Sequence, residues 1–183
     1  FKLENLQKTG SFKVRGATNS VLSLSKDQLK RGIIGFSTGN HGLALAYVAR
    51  VAKIKCVICM SSLVPQEKVK KIKDEGAEVI IFGDSQDEAE SNMKHIIQKN
   101  KLTFIHPFDQ KDIISGQGTL GLEIADALPK VSNVLVPVSG GGLISGIAIA
   151  LKESCPNVKI IGVSMEKGAA MYESQRKGEP VRV

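Results

Sequence analysis

The sequence of 183 residues has few aromatic residues, no long apolar run and an opening segment that lacks the features of a signal peptide. Aromatic residues make up 4% of it and interleave with no basic motif, so a formal charge of +7 does not predict nucleic-acid binding. No apolar run approaches the ~20 residues that cross a bilayer, and we predict no membrane segment. The opening "FKLENLQ" lacks an initiator Met, a basic head and a long apolar stretch, so we expect the interior of a longer chain.

Cysteine is also scarce, with Cys56, Cys59 and Cys155 as the only three. So few cysteines suit a reducing compartment, and we expect a cytoplasmic protein. "CVIC" has the spacing of a redox pair or of half a zinc site. It lies within the β-branched run "IKCVICM", however, and no second cysteine pair exists. We therefore predict a buried strand there and no metal site.

Short apolar runs alternate with segments of helical periodicity along most of the chain. The predicted strands are "GIIGFS", "KCVICM", "AEVIIFG", "LTFIHPF", "NVLVPV" and "NVKIIGVSM". The segments between and after them are predicted helices, and Ser85 is a candidate N-cap for one of these. This alternation predicts an α/β fold with parallel sheets and helices on both faces. A change of character near "HPFDQ" suggests a crossover between domains.

Ligands bind open α/β sheets beyond the carboxyl ends of the strands. We expect three loops at one such sheet edge. They are "KTGSFK" after the first strand, "STGNHG" after the second and "SGGGL" after "VLVPV".

The glycine loop "SGGGL", residues 139–143, leads from an apolar strand into a helix. Its glycines allow close approach, and the helix start offers free N–H groups, which together suit a phosphate. A purely structural glycine turn is the alternative. A dinucleotide fingerprint is the other rival, but G-x-G-x-x-G counted from Gly140 places Ser145 at the third glycine, so that motif fails. It is not a P-loop either.

The loop "STGNHG", residues 37–42, also opens a helix. Its hydroxyls and backbone N–H groups could hold a carboxylate, although an ordinary helix cap explains the same residues equally well. We expect His41 to be structural and His95 to face solvent, since neither is paired with a cysteine or a carboxylate.

Lys13 stands between Phe12 and Val14 at the start of a helical pattern, where the helix dipole disfavours a cation. A lysine in apolar surroundings has a lowered pKa, and its neutral amine can form a Schiff base or act as a base. A lysine that extends to solvent is the alternative. The three loops together favour the reactive amine, with pyridoxal phosphate as its ligand.

On these motifs the chain resembles the fold type II pyridoxal-phosphate enzymes of the threonine dehydratase and serine racemase kind. "TGSFKVRGATN" is similar to the family's lysine segment, and "HPFD" with "GQGTLGLEI" to its connecting helix region. The resemblance implies that Lys13 is the Schiff-base lysine, Phe12 lies against the cofactor and Asn40 bonds the ring oxygen. It assigns the phosphate to Ser139, Gly140, Gly141, Gly142 and Leu143. It assigns the substrate carboxylate to Ser37, Thr38, Gly39, Asn40 and His41.

The implied reaction is elimination of water from a β-hydroxy amino acid such as threonine or serine, followed by hydrolysis to a keto acid and ammonia. "STGNHG", "SGGGL" and "GVSMEKGAAM" most resemble the hydroxyectoine-utilisation dehydratases, which implies a related hydroxyectoine-derived substrate. Racemases of the family carry a serine at the position of Thr38, so Thr38 is a second candidate catalytic residue and serine racemisation is the alternative. Other classes left open are a dinucleotide-binding oxidoreductase domain and a catalytically silent ligand-binding module.

The resemblance also implies an architecture similar to the tryptophan synthase β subunit. It comprises two three-layer α/β domains with mostly parallel sheets, present here as a fragment. We expect a small domain over residues 12–101, inserted into a larger domain formed by residues 1–11 and 102–183 and incomplete at both ends. The expected assembly is a homo-oligomer, a dimer or a tetramer.

Overall fold

A computed structural model describes residues 1–37, 39–84 and 86–181. The chain divides into two compact units, Phe1–Ile113 and Ile114–Val183. Helices of the first unit are α1 (Lys13–Leu22), α2 (Lys26–Arg31), α3 (Asn40–Ala52), α4 (Gln66–Asp74) and α5 (Gln86–Asn100). Its strands are β1 (Ile33–Phe36), β2 (Cys56–Met60), β3 (Glu78–Ile81) and β4 (Thr103–Phe104).

The four strands of the first unit form one parallel sheet in the order β3-β2-β1-β4. Strand β1 lies inside the sheet, with Ile33 opposite Cys56 on one side and Thr103 on the other. Strands and helices alternate as the sequence predicts, because each parallel pairing needs a crossover connection. The predicted α/β fold with parallel sheets is confirmed.

Both faces of this sheet are covered, which explains why β1 and β2 are continuously apolar in sequence. Successive side chains of a strand point to opposite faces. Ile33 accordingly belongs to the core formed with α1 and α3, whereas Ile34 belongs to the core that includes Met93 of α5. The helices α1 and α3 also pack against each other. Helix α1 is therefore anchored in one of the two buried cores of the unit.

The "CVIC" prediction is confirmed, since both cysteines lie in the buried strand β2. Cys56 and Cys59 enter the two different cores on opposite faces of the sheet. Burial raises the pKa of the Cys56 thiol to about 12 and that of Cys59 to about 11. Neither thiol is a reactive thiolate at neutral pH.

The second unit contains the parallel pair β5 (Asn133–Pro137) and β6 (Lys159–Val163), connected through α7 (Gly142–Ser154). Helix α6 (Lys111–Ala127) leads into this unit, and α8 (Ala170–Lys177) follows β6. A close approach of α6 and α7 requires glycine at position 146. A Cβ there would lie 2.7 Å from the backbone nitrogen of Gly118 and would also meet the carbonyl oxygen of Ile114.

The expectation of three loops at one sheet edge is wrong. Strand β1 belongs to the four-stranded sheet and β5 to the two-stranded one. Because β2 and β4 occupy both sides of β1, no hydrogen-bonding edge of that strand remains for β5. The loop "KTGSFK" does not follow a strand either, since Glu4–Leu6 before it form a 3-10 helix.

Two further expectations meet the fold only in part. Strand β4 pairs with β1, although it lies beyond residue 101, where we expect the small domain to end. The domain boundaries stay a prediction, and the proposed cap Ser85 lies outside the described residues.

His95 is exposed on α5, as predicted. Among the helices that the structure describes, none has the length and apolar character needed to cross a membrane.

Candidate active site

Lys13 is the first residue of α1, and its amine is held close to the protein rather than extended into solvent. The Nζ atom donates a hydrogen bond to the carbonyl oxygen of Pro107 at 2.6 Å. It also lies 5.3 Å from the ring centroid of Phe12. Burial lowers the pKa of Lys13 from its ordinary value of 10.5 to about 8. The lowered pKa predicted from the apolar neighbours of Lys13 is confirmed.

An ion pair fixes the chain immediately before α1. Arg15 donates from Nε and from a terminal nitrogen to the two carboxylate oxygens of Glu4, at 2.7 and 2.8 Å. The two side chains are 11% and 15% exposed, so this forked pair is largely shielded from water. It joins the 3-10 helix to the first turn of α1 and restricts the movement of Lys13 relative to the rest of the unit.

The residues "HPFD", 106–109, form a turn that presents the Pro107 carbonyl to Lys13. The Nδ1 atom of His106 accepts hydrogen bonds from the backbone N–H groups of Phe108, at 3.2 Å, and Asp109, at 2.7 Å. The backbone N–H of His106 donates to Oε1 of Gln110 at 2.9 Å. Sequence reasoning identified "HPFD" as a domain crossover and missed this contact. No local pattern reveals the contact, because Lys13 and Pro107 are 94 residues apart.

The predicted carboxylate loop leads from β1 into α3. Ser37 is buried, and its Oγ accepts a hydrogen bond from the backbone N–H of Gly39 at 3.0 Å. Asn40, the first residue of α3, is exposed. The first backbone N–H groups of a helix lack intrahelical acceptors, so this turn can receive an anion. Thr38 lies outside the described residues.

The side chain of His41 faces the protein interior, so its imidazole is not directed to the solvent side of the loop. It is 3% exposed, and its Nε2 lies 3.1 Å from the carbonyl oxygen of Ile105. Burial lowers the pKa of His41 to about 3, which keeps the ring neutral. The side chain is structural, as predicted, whereas a role of the His41 backbone in holding a carboxylate stays a prediction.

The predicted phosphate loop has the backbone geometry that its glycines suggest. Gly141 caps α7 with φ +86°, in the left-handed region that disfavours other residues, and Gly142 begins the helix. A Cβ on Gly141 would lie 2.6 Å from Cε of Met171. Ser139 is exposed, while Gly140 and Leu143 are partly buried. The loop therefore presents a backbone surface with free N–H groups at the start of a helix, which fits a phosphate.

These features match the chemical demands of pyridoxal phosphate, which needs an amine that can lose its proton near neutral pH and an anion-binding turn. Taken separately, the first unit contains an amine of lowered pKa at Lys13, and the second contains a glycine-capped helix start at residues 139–143. Among the residues that the structure describes, no group of three His, Cys, Asp or Glu could hold a metal ion. The absence of a metal site stays a prediction.

Comparison with known proteins agrees with this chemistry. The family described as "Pyridoxal-phosphate dependent enzyme" matches residues 1–183. A protein of Sinorhizobium fredii, provisionally named a threonine dehydratase, is 51% identical over 182 residues, covering 100% of this chain and 55% of its own length. The L-threonine ammonia-lyase of Thermotoga maritima is 46% identical over 182 residues, covering 100% of this chain and 45% of its own length.

Two solved structures extend the likeness to the fold. The processed form of threonine deaminase isoform 2 from Solanum lycopersicum has a TM-score of 0.94 and 38% identity, covering 98% of this chain and 52% of that one. Serine racemase from Dictyostelium discoideum has a TM-score of 0.93 and 40% identity, covering 98% of this chain and 58% of that one. The chain thus spans about half the length of the relatives that it matches.

The chain therefore belongs to the family of pyridoxal-phosphate dependent enzymes. Its relatives include both threonine dehydratases and serine racemases, as the lysine and glycine motifs imply. The cofactor predicted from Lys13 and "SGGGL" is confirmed at the level of the family. The individual roles of the site residues stay predictions.

Proposed function

We propose that the protein is a pyridoxal-phosphate dependent ammonia-lyase that eliminates water from threonine or serine, after which hydrolysis of the resulting enamine by water gives a keto acid and ammonia. The observation that supports this most directly is the amine of Lys13, which lies in the family's lysine motif with a pKa lowered to about 8. Relatives named for threonine dehydration or deamination, at 38 to 51% identity, support the choice of reaction.

Lys13 would link to the cofactor and serve as the base. When bound, pyridoxal phosphate spreads the negative charge that develops at the α-carbon of the substrate. With a pKa of about 8, roughly a tenth of the Lys13 amines are neutral at pH 7. That fraction is roughly 300 times larger than for a lysine at the ordinary value of 10.5. The Nζ atom can therefore take up the α-proton at neutral pH.

The two loops would bind the charged ends of the ligands. We propose that the backbone N–H groups and hydroxyls of residues 37–41 hold the substrate carboxylate, with Asn40 reaching the ring oxygen of the cofactor. We propose that residues 139–143 hold the phosphate. In the first loop, the bond between Ser37 and the Gly39 N–H supports this role by setting the turn before α3. In the second, Gly141 supports it by keeping side chains away from the backbone.

A product assay tests this proposal. The full-length protein with pyridoxal phosphate should convert L-threonine to 2-oxobutyrate and L-serine to pyruvate, and both should be measured with release of ammonia. Formation of D-serine without a keto acid would instead support the racemase alternative, which the likeness to the Dictyostelium enzyme favours. No reaction with either amino acid would contradict both.

The finer substrate assignment is also a proposal. We propose a related hydroxyectoine-derived amino acid as the alternative substrate to threonine and serine, because "STGNHG", "SGGGL" and "GVSMEKGAAM" together resemble that dehydratase subgroup. We also propose Thr38, by its hydroxyl, as a second catalytic residue. Comparison of kcat/KM among threonine, serine and such an amino acid tests the assignment, and a clear preference for threonine would overturn it.

We further propose a cytoplasmic homodimer or homotetramer. The three cysteines are unpaired in the structure, which fits a reducing compartment. Sedimentation of the full-length protein tests the assembly, and a monomer at micromolar concentration would contradict it.

A further inference from the structure

Lys13 is held by a carbonyl oxygen that belongs to a turn, and the imidazole of His106 accepts two of the hydrogen bonds that close this turn. Pro107 contributes the carbonyl, at 2.6 Å from Nζ, and has no backbone N–H of its own. The next two backbone N–H groups, of Phe108 and Asp109, both point to Nδ1 of His106. The direction of the Pro107 carbonyl therefore depends on the turn that His106 closes.

The imidazole of His106 is itself fixed by its surroundings. Its ring packs edge-on against Phe36, Phe104 and Phe108, with centroid distances of 6.1, 5.8 and 4.6 Å. Phe36 and Phe104 come from the paired strands β1 and β4, so the ring is anchored to the sheet. Just before it, Ile105 donates its backbone N–H to the carbonyl of Ile34 at 3.0 Å. The ring therefore has little freedom to turn away from the two N–H groups.

The hydrogen bonds also define the tautomer of His106. A nitrogen that accepts from two N–H donors cannot carry a hydrogen of its own. His106 must therefore be unprotonated at Nδ1 for the turn to close. Among the residues that the structure describes, Lys13 of α1 and His106 both act electrostatically on His41 of α3.

We propose that His106 is the positioning residue for the Lys13 amine, and that it acts by closing the turn that aims the Pro107 carbonyl at Nζ. It does not touch the reacting atoms in this role. A carbonyl that accepts from the amine favours its charged form and opposes the effect of burial. The turn thus holds the free amine in one direction and keeps it from losing its proton too readily. The proposal rests on the proposed function only for the role of Lys13.

The test measures the titration of Lys13 in the cofactor-free, full-length protein. Competitive acetylation between pH 7 and pH 11, read by mass spectrometry of the Lys13 peptide, gives its pKa, with the exposed Lys26 as internal reference. His106→Leu fills the space without an acceptor, and we expect it to lower the Lys13 pKa by about one unit. His106→Asn replaces Nδ1 with an amide oxygen and should keep the pKa within about 0.3 units of the wild type. His95→Leu, at the exposed histidine of α5, is the matched control and should leave the pKa unchanged.

Three outcomes would overturn the proposal. They are an unchanged Lys13 pKa in His106→Leu, an equal shift in His106→Leu and His106→Asn, and a rise toward the ordinary value. Should His106→Leu not fold, the imidazole nitrogen NMR spectrum of the wild-type protein gives an independent answer. We expect His106 as the tautomer with hydrogen on Nε2, and hydrogen on Nδ1 would refute the turn. Both measurements are independent of turnover, so failure of the lyase proposal would be seen separately.

Discussion

Replacement of Gly141 with valine tests whether the backbone of residues 139–143 holds the phosphate. Gly141 has φ +86°, and left-handed backbone costs other residues roughly 1–2 kcal/mol, more when the side chain is β-branched. A Cβ would also lie 2.6 Å from Cε of Met171, although the end of that side chain can move. Movement of Met171 would relieve that contact but not the positive φ, so we expect the backbone of the loop to rearrange and its N–H groups to turn away from the ligand.

The magnitude follows from the bonds that would be lost. Each hydrogen bond to a charged group contributes about 1.5–3 kcal/mol, so loss of two should weaken the binding of pyridoxal phosphate at least about a hundredfold. Ser139→Gly removes only an exposed hydroxyl and should cost about 1 kcal/mol, or about fivefold. Fluorescence titration of the cofactor-free full-length protein with pyridoxal phosphate gives both dissociation constants.

A matched control separates backbone strain from ligand binding. Gly178 also has positive φ, +74°, with nothing within 4 Å of the position that a Cβ would occupy. Gly178→Val should therefore lower stability but leave cofactor affinity unchanged. If Ser139→Gly weakened binding more than Gly141→Val, the phosphate would be held mainly by a side chain, and our account of the loop would be refuted.

Two further predictions concern stability. The folded pKa of Lys13, about 8, lies below the ordinary 10.5, so the unfolded chain binds the extra proton between these values. The free energy of unfolding of the cofactor-free wild type should therefore rise between pH 8 and pH 10.5. This rise, measured by urea unfolding, should exceed the rise in Lys13→Met by up to about 3 kcal/mol. Gly146→Ala should lower the free energy of unfolding by about 2–4 kcal/mol, because the new methyl group meets the backbone of α6. Ile149→Ala, at an exposed position of α7, should lower it by less than about 1 kcal/mol. Equal costs at the two positions would contradict the packing of α6 and α7.

The order of helices and strands could be predicted because it depends on local patterns. Strand β2 is apolar at every position, and it forms a buried strand in the structure. The lowered pKa of Lys13 could also be predicted, since Phe12 and Val14 are its neighbours in sequence. In these cases the sequence pattern and the physical environment involve the same few residues.

Long-range pairing could not be predicted in this way. Nothing in the two-residue strand β4 indicates that it pairs with β1 rather than with a later strand. The same holds for the contact between Lys13 and Pro107, since it depends on long-range contacts such as the hydrogen bond from the Ile105 N–H to the Ile34 carbonyl. Our assumption that three loops share one sheet edge failed for this reason, because loop motifs contain no information about the partners of their strands.

Covalent mapping of the cofactor tests the central claim most directly. The full-length protein should be loaded with pyridoxal phosphate, treated with borohydride to make the link permanent, digested and analysed by mass spectrometry. We predict a single modified peptide with the label on Lys13, and no label in Lys13→Ala. A label on another lysine, or an unlabelled protein, would contradict the claim that this buried amine is the one that binds the cofactor.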